Sequence, residues 1–437
     1  MTSPRLLTHT LGCKVNQYET QYVREGLLQV GYEDVKSDEQ ADLCVINTCT
    51  VTAEGDSKSR RVIRRAARQH PNARIIVMGC YATRAPDEIA QLPGVKEVIT
   101  DKRELPDLLG RFGVIDIPTG ISGLANRHRA YVKVQDGCLL RCSYCIIPQV
   151  RPKMYSRPTA DILAEVQRLV ANGFREIVLT GIHLGHYGVD WNRTRPKSDW
   201  IRLSDLLRCI VELPGDFRVR LSSIEATEVT RGLVAVMADH SQRVCPHLHL
   251  CLQSGSDRIL NRMNRRWGAK RFLDRCRLVR EMLPRPAITT DIIVGFPGET
   301  DDDFQRSCDV SEEAQFSKIH IFPFSARRGT PAAEMNDQIP PRVKSSRAKH
   351  LAQVEKTLRG RFLSSLCGQT LRVLVEGHAD TANKQMVGTA CRYVPVRMEP
   401  VSSASRIGEL YECLVTDTDG EIALTQTLPN QDGPGAG

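Results

Sequence analysis

Between residues 130 and 325, short apolar segments alternate with helical stretches, and this alternation constrains the fold more than any other feature. The apolar segments predict six strands, at residues 130–135, 176–180, 217–222, 247–253, 287–294 and 318–324. Repeated strand–helix units of this kind predict a (β/α)6-type partial or full barrel. In such a barrel, the loops at the carboxyl ends of the strands carry the chemistry.

The chain on either side of this region follows other patterns, so we expect three domains. Residues 1–125 alternate strands with helices, which predicts a doubly wound α/β domain ahead of the central domain at 126–366. Residues 367–429 predict a small β-barrel, and residues 430–437 read as a frayed tail. The strands predicted for the small barrel are residues 371–376, 386–389, 393–396, 409–416 and 422–425.

Three of the 15 cysteines, Cys138, Cys142 and Cys145, form a C-x3-C-x2-C run directly after the first central strand. We expect a cytoplasmic protein with reduced thiols and no membrane partner, because neither a secretory signal nor a membrane-length apolar run is visible. Thiolates of this kind select iron–sulfur clusters or zinc, and a closed site needs four ligands. The run lacks a fourth ligand close downstream, which favours a four-iron cluster with one open iron. A structural metal site and packed core cysteines are the alternatives.

An open iron can bind the amino and carboxylate groups of S-adenosylmethionine (SAM), so the run is typical of radical chemistry. Over nearly the whole chain, the surrounding segments resemble the radical-SAM methylthiotransferases. The segment GIHLG, at residues 181–185, is most similar to the branch that acts on N-6-threonylcarbamoyladenosine beside the tRNA anticodon. The segments that carry the resemblance are YVKVQDGCLLRCSYCIIP, EIVLTGIHLGHYG, RLSSIE, HLHLCLQSGSDRIL, TDIIVGFPGET and IFPFSARRGTPAA.

The resemblance implies an enzyme that places a methylthio group on carbon 2 of this adenosine. It implies SAM and two [4Fe-4S] clusters as cofactors. The implied partners are tRNA, through its anticodon loop, a low-potential electron donor and a sulfur donor. Three other functions stay open: methylthiolation of isopentenyladenosine in tRNA, methylthiolation of a ribosomal-protein aspartate, and non-catalytic RNA binding by an iron–sulfur protein.

The resemblance also implies residue roles. Cys13, Cys49 and Cys80 each end or follow a predicted strand, and spacing alone leaves them as ligands or as small buried residues. In the family, the matching segments LGCKVN, NTC and GC bind an auxiliary cluster. Cofactor or cavity contacts are implied for Thr180, Gly181, Glu225, Gln253 and Ser254.

Basic residues give two candidate RNA surfaces, in keeping with a net charge of +9. One is the helix predicted at residues 54–69, for which a solvated surface helix is the alternative. Its basic residues are Lys58, Arg60, Arg61, Arg64, Arg65 and Arg68. The other is the terminal barrel, which resembles the TRAM module. Its candidates for phosphate contact are Arg372, Lys384, Arg392 and Arg397.

Two further features bear on the site. His247 and His249 share one face of a strand. They form either a metal-binding pair or core histidines, and nearby Cys251 is interpreted as a core residue.

Residues 151–157, RPKMYSR, depart from the RGxxRSR stretch of similar enzymes. Pro152 fixes a backbone torsion that glycine leaves free, which puts the conformation of this loop in question.

Overall fold

The computed structural model describes residues 3–125, 127–379, 385–399 and 406–428. Its first unit is an all-parallel sheet in the order β2-β1-β3-β4-β5. The strands are β1 (Arg5–Thr10), β2 (Glu33–Asp34), β3 (Leu43–Thr48), β4 (Arg74–Gly79) and β5 (Val95–Val98). The helices are α1 (Lys14–Gln29), α2 (Ala53–Gln69), α3 (Cys80–Arg84), α4 (Pro86–Ala90) and α5 (Leu105–Arg111).

Both faces of this sheet are buried. Along β3, Cys44 and Ile46 pack into one apolar cluster, whereas Leu43 and Val45 pack into another on the opposite face. A strand covered on both sides reads as a continuous apolar run, which is the pattern of LCVINT. The doubly wound α/β prediction is therefore confirmed.

The central unit contains two four-stranded sheets, ordered β7-β6-β8-β9 and β10-β11-β12-β13. The strands are β6 (Arg129–Asp136), β7 (Tyr155–Ser156), β8 (Glu176–Gly181), β9 (Arg218–Leu221), β10 (Ser223–Ile224), β11 (His247–Leu250), β12 (Ala287–Val294) and β13 (Lys318–Pro323). The helices are α6 (Ile147–Val150), α7 (Thr159–Ala171), α8 (Val189–Asn192), α9 (Leu203–Val211), α10 (Arg231–Asp239), α11 (Asp257–Arg262), α12 (Ala269–Met282), α13 (Asp301–Ala314) and α14 (Pro341–Ser364).

A parallel β-bridge between Val219 of β9 and Val244, which precedes β11, connects the two sheets. The six predicted central strands correspond to β6, β8, β9, β11, β12 and β13, and the two-residue β7 and β10 are additions. Within the described residues no hydrogen-bonded pairing joins β13 to β7, so the barrel is partial. The carboxyl ends of the parallel strands form one rim, which carries the candidate site.

The terminal unit is a closed barrel in the order β14-β15-β16-β18-β17. Its strands are β14 (Thr370–His378), β15 (Met386–Ala390), β16 (Pro395–Met398), β17 (Leu410–Thr418) and β18 (Ala423–Thr427). The small β-barrel prediction is confirmed. One boundary was wrong, because Tyr393 has a positive φ of 59° and lies in the turn before β16. The predicted tail and Lys384 lie outside the described residues.

A buried carboxylate organises the junction between the central and terminal units. Glu176, fully buried on β8, accepts hydrogen bonds from Arg218 Nε (2.7 Å) and Arg220 Nε (2.8 Å). The same guanidinium groups donate to terminal-barrel carbonyls, as in Arg218 Nη2 to Thr389 (2.9 Å) and Arg220 Nη1 to Cys391 (3.0 Å). Glu176 thereby orients the side chains of Arg218 and Arg220 toward the terminal barrel.

Two of the arginines expected to bind phosphate also serve this junction. Arg372 Nη1 donates to the Gln242 carbonyl (3.0 Å), and Arg392 Nε donates to the Arg285 carbonyl (2.9 Å). Both guanidinium groups hold the terminal barrel against the central unit, and phosphate contact by these two residues stays a prediction. Arg397 has no such contact to the central unit among the described residues.

In the part of the chain that the structure describes, no helix combines the length and the apolar character needed to span a membrane.

Candidate active site formed by two cysteine groups

The first cysteine group comprises Cys138, Cys142 and Cys145, in the loop between β6 and α6. The three thiols lie close enough for their charges to influence one another. Burial raises the pKa of Cys145 to about 12 and also raises that of Cys142. Buried thiols of this kind become thiolates when a metal compensates the charge. The donor set therefore fits an iron–sulfur cluster with three protein ligands.

A glycine and a glutamine shape this loop. Gly137 has a φ of +75°, and a Cβ there would lie 2.2 Å from the Lys153 carbonyl oxygen. Gln135 Nε2 donates to that glycine's carbonyl (2.7 Å), while its Oε1 accepts the His183 backbone N–H (2.8 Å). Gln135 thus fastens the cysteine loop to the loop that follows β8. Because of these two bonds, the GIHLG segment lies directly against the first cysteine group.

Two basic side chains contact the sulfur atoms. His183 Nδ1 lies 3.5 Å from Cys138 Sγ, and its Nε2 lies 3.2 Å from a Glu228 carboxylate oxygen. Arg265 Nη1 lies 3.6 Å from Cys142 Sγ. Hydrogen bonds to cluster sulfurs stabilise the charged thiolate form and tune the metal.

The residues predicted to contact SAM lie at the carboxyl ends of β8, β10 and β11. Glu225 Oε2 accepts hydrogen bonds from Arg265 Nη2 and from Trp267 Nε1 (3.2 Å). Gln253 has a φ of +70°, a conformation that costs energy for a residue with a side chain and that clusters at functional sites. Thr180 and Gly181 end β8, where Gly181 pairs with Gln135.

One predicted cavity residue is placed elsewhere. Ser254 is fully buried and its hydroxyl lies 3.4 Å from that of Ser307, on α13. Its side chain therefore packs against a helix on the outside of the sheet, and the expectation that it lines the cavity was wrong.

The two strand histidines meet at one hydroxyl group. Thr289 Oγ1 lies 3.1 Å from His247 Nε2 and 3.0 Å from His249 Nδ1. His247 is buried and stacks on Tyr393, which is a core arrangement. His249 also lies 3.3 Å from Asp291, and Cys251 is adjacent to this pair.

The second cysteine group comprises Cys13, Cys49 and Cys80, which follow β1, β3 and β4. These three strands are neighbours in the sheet, so their carboxyl ends bring the cysteines together. Charge on Cys80 influences both other thiols. Burial raises the pKa of Cys13 and Cys49, as in the first group. These donors fit the same kind of three-ligand site.

Glycines make the approach of the second group possible. Gly12 and Gly79, which precede Cys13 and Cys80, both have a φ of +100°. A Cβ at Gly79 would lie 2.3 Å from Asn47 Oδ1 and 2.4 Å from the Thr48 carbonyl oxygen. Only glycine therefore fits at position 79.

Replacing Gly79 with alanine is expected to lower the free energy of unfolding by more than about 3 kcal/mol, because both the clash and the positive φ are penalised. Gly31 is a matched control, since its φ is +90° but no heavy atom would lie within 4 Å of an added Cβ. Gly31→Ala should cost only about 1–2 kcal/mol. Urea unfolding of both variants measures the difference, and equal losses would contradict the importance of the clash.

The loops that carry the two cysteine groups pack against each other. Cys80 packs in one apolar cluster with Ile146, the residue after Cys145, and with Val150 of α6.

The loop of residues 151–157 directly follows α6 and is held in place at both ends. Arg151 is buried beside Cys80, and Ser156 Oγ donates to Asp190 (2.6 Å). These anchors answer the question raised by Pro152, because they hold the loop on either side of it.

Two family models match the chain. The Radical SAM superfamily matches residues 132–310, and a family described as Uncharacterized protein family UPF0004 matches residues 5–101. Among solved structures, the fold is similar to TsrM, a radical S-adenosylmethionine methyltransferase from Kitasatospora setae. The TM-score is 0.56 at 14% identity, over 76% of this chain and 77% of that one. The fold is that of the radical SAM class, to which a [4Fe-4S] cluster and SAM belong.

Named relatives identify the family within the radical SAM class to which the chain belongs. The chain is 39% identical to the threonylcarbamoyladenosine tRNA methylthiotransferase of Bacillus subtilis, over 89% of each chain. It is 37% identical to the enzyme of that name from Thermotoga maritima, over 95% of each chain. It is 34% identical to the tRNA-2-methylthio-N(6)-dimethylallyladenosine synthase of Corynebacterium diphtheriae, over 93% of this chain and 84% of that one. The chain belongs to the radical SAM methylthiotransferase family, which confirms the resemblance and the enzyme class.

Some site residues were not predicted from the sequence. Gln135 stands in the quoted segment YVKVQDGC and His183 in GIHLG, but neither has a spacing that assigns a role. Arg265 lies 123 residues from the cysteine that it contacts, so no local pattern marks it. The place of His183 two residues after β8, at the carboxyl end of a parallel strand, is a signal that could have marked that residue.

Proposed function

We propose that this protein transfers a methylthio group to carbon 2 of N-6-threonylcarbamoyladenosine in tRNA, beside the anticodon. The observation that carries the proposal is that Cys80 of the second group packs in one apolar cluster with Ile146, the residue that follows Cys145 of the first group. One group alone serves any radical SAM enzyme, whereas two adjacent groups suit a reaction that also needs a held sulfur atom. The names of the relatives in Bacillus subtilis and Thermotoga maritima support the same substrate.

The proposal assigns a ligand set to each group. Cys138, Cys142 and Cys145 hold a [4Fe-4S] cluster that, with SAM, supplies radical chemistry when bound. Cys13, Cys49 and Cys80 hold a second [4Fe-4S] cluster. The thiols of the first group share one loop, and those of the second group follow three neighbouring strands. Within each group the thiols lie close enough for their charges to influence one another.

The surrounding residues bind and orient SAM. Arg265 holds Glu225 next to Cys142, so a carboxylate is kept where it can accept hydrogen bonds from the hydroxyl or amino groups of SAM. Gly181 is assigned a backbone contact with SAM, and a Cβ at this position would lie 3.1 Å from Gln135 Oε1. Thr180 and Gln253 complete the assigned SAM contacts.

RNA is assigned to the exposed face of α2. Lys58, Arg61 and Arg65 are exposed there, together with Arg64 and Arg68. Arg60 is excluded from this face, because it donates to the Tyr81 hydroxyl (2.6 Å) and pairs with Glu88. The helix begins four residues after Cys49, so tRNA bound to this face lies beside the second group.

Removing three of these charges together, by Arg61→Ala, Arg65→Ala and Arg68→Ala, should weaken tRNA binding and make it less dependent on salt. Each lost phosphate contact lowers the slope of log K against log salt by about 0.7–0.9. Filter binding over a range of salt concentrations measures this slope. Lys270→Ala with Arg277→Ala removes exposed charges from α12 and is the control. An unchanged slope, or an equal loss in the control, would reject α2 as the RNA surface.

The proposed reaction is tested by mass spectrometry of tRNA nucleosides from a strain that lacks the gene, compared with its parent. We expect 2-methylthio-N-6-threonylcarbamoyladenosine to disappear and its unthiolated precursor to accumulate. The wild-type gene should restore the product. Persistence of the product in a strain without a second such gene would refute the proposal.

The same measurement separates a second candidate, methylthiolation of isopentenyladenosine. The 34% identity to the Corynebacterium diphtheriae dimethylallyladenosine synthase favours this candidate. Loss of the isopentenyl product alone would select it. Either reaction takes place in the cytoplasm, with a low-potential electron donor and a sulfur donor as partners.

A further inference from the structure

Arg151 is a buried arginine between the N-terminal and central units. It directly follows α6 and is 4% exposed. Its Nη1 and Nη2 donate to the two oxygens of Glu19, on α1, each at 2.8 Å. Nη1 also donates to Asp136, at the end of β6 (2.8 Å). The guanidinium therefore ties a helix of one unit to a strand of the other.

The remaining donors of Arg151 point to the second cysteine group. Nε donates to Cys80 Sγ at 3.5 Å, and Nη2 donates to Asn16 Oδ1 at 3.1 Å. A guanidinium carries five N–H bonds in a rigid plane, and every nitrogen of Arg151 is engaged. Because the plane is fixed by two carboxylates, the direction of the Nε–H bond toward sulfur is fixed as well.

Asn16 extends this control to the other two cysteine loops. Its Nδ2 donates to the carbonyl oxygens of Leu11 (2.8 Å) and Thr48 (3.0 Å). These residues lie two before Cys13 and one before Cys49. Arg151 thus touches one ligand loop directly and the other two through one amide group.

The charges around Arg151 are balanced. Lys133 Nζ pairs with Glu19 (2.9 Å) and with Asp136 (2.6 Å), so two cations face two carboxylates. Burial opposes ionisation of both carboxyl groups, but Arg151 and Lys133 hold the pKa of each below its ordinary value. The two cations and two carboxylates therefore balance in charge, and the Nε–H bond is the one direct hydrogen bond from Arg151 to a cysteine sulfur.

We propose that Arg151 is a positioning residue of the second cysteine group, and that its Nε–H bond to Cys80 sulfur sets the reduction potential of the cluster held there. This inference rests on the proposed function, because it requires a cluster on Cys13, Cys49 and Cys80. Hydrogen bonds to cluster sulfurs stabilise the more negative, reduced state and so raise the potential.

The test compares Arg151→Lys with Arg157→Lys in the full-length protein carrying both clusters. Lysine keeps the charge facing Glu19 and Asp136 but lacks the rigid fork, so buried carboxylates are not left unpaired. Arg157 belongs to the same loop and pairs with Glu165 (2.6 Å) without contact to either cysteine group, which makes it the matched control. Circular dichroism establishes that each variant is folded, and iron content measures how much of each cluster it holds. Reductive titration followed by electron paramagnetic resonance gives the potential of each cluster.

We expect Arg151→Lys to lower the potential of the cluster on the second group, or to release its iron from a folded protein, while the cluster on the first group is unchanged. Arg157→Lys should change neither. Unchanged potentials and iron content in Arg151→Lys, or equal shifts of both clusters, would overturn the inference and leave the proposed function standing. Wild-type protein that binds iron for one cluster only would overturn both.

Discussion

Replacing Cys142 with alanine is expected to abolish SAM cleavage and methylthio transfer. Cys142 is the most buried thiol of the first cysteine group and is held by Arg265. Loss of one of three ligands leaves two sulfur atoms, which cannot retain a four-iron cluster. We expect activity to fall by at least about 10³-fold, or about 4 kcal/mol in activation free energy.

The measurement is formation of 5′-deoxyadenosine and of methylthiolated nucleoside by reconstituted protein, with iron determined in the same samples. Cys276→Ala is the control, because Cys276 is also buried but lies on α12 and packs in the apolar core of the central unit. Its activity should stay close to that of the wild type. Substantial SAM cleavage by Cys142→Ala would show that the first group does not hold the reactive cluster.

Glu176→Ala should destabilise the protein by about 3–5 kcal/mol, the largest stability loss that we expect from a side chain outside the cysteine groups. The substitution leaves Arg218 and Arg220 buried without a counter-charge. It also releases the guanidinium groups that hold the terminal barrel. Unfolding in urea measures the loss, and limited proteolysis between the central and terminal units should become faster.

Glu409→Ala is the matched control for this prediction. Glu409 also joins the terminal barrel to the central unit, through Arg175 at 2.9 Å, but its side chain is 38% exposed. Exposed pairs contribute no more than about 1 kcal/mol. If the two variants lose equal stability, burial of the carboxylate is not the cause.

The same carboxylate predicts a pH dependence. Burial opposes its ionisation, but Arg220 and Arg218 hold the pKa of Glu176 well below its ordinary value. A lowered pKa in the folded state stabilises the fold above the unfolded pKa of about 4.3, and this stabilisation is lost as the pH falls further. Between about pH 5 and pH 3, the wild type should therefore lose more stability than Glu176→Gln. Equal losses of stability in the two proteins over this pH range would show that protonation of Glu176 is not the cause.

The sequence predicted the strands and the cysteine groups for a common physical reason. Buried parallel strands require continuous apolar runs, and parallel strands deliver the residues that follow them to one edge. Cys13, Cys49 and Cys80 follow β1, β3 and β4, which turn out to be adjacent. The order of the strands in the sheet, and hence this adjacency, depended on the family resemblance.

The buried charges were not predictable in the same way. Arg151 and Glu19 are 132 residues apart, and each alone reads as an ordinary surface residue. For the same reason, Arg372 and Arg392 were expected to face RNA, although both hold the terminal barrel. An ionic side chain reveals its role only when its partner is known, and the partner is set by tertiary packing.

The central claim is that each cysteine group holds its own cluster and that methylthio transfer needs both. It is tested most directly by Mössbauer spectroscopy and product analysis of three anaerobically reconstituted proteins. These are the wild type, a variant with alanine at Cys13, Cys49 and Cys80, and a variant with alanine at Cys138, Cys142 and Cys145. We predict two clusters in the wild type and one in each variant. The variant that keeps the first group should still cleave SAM but make no methylthiolated nucleoside. A single cluster in the wild type, or methylthio transfer without the second group, would contradict the account.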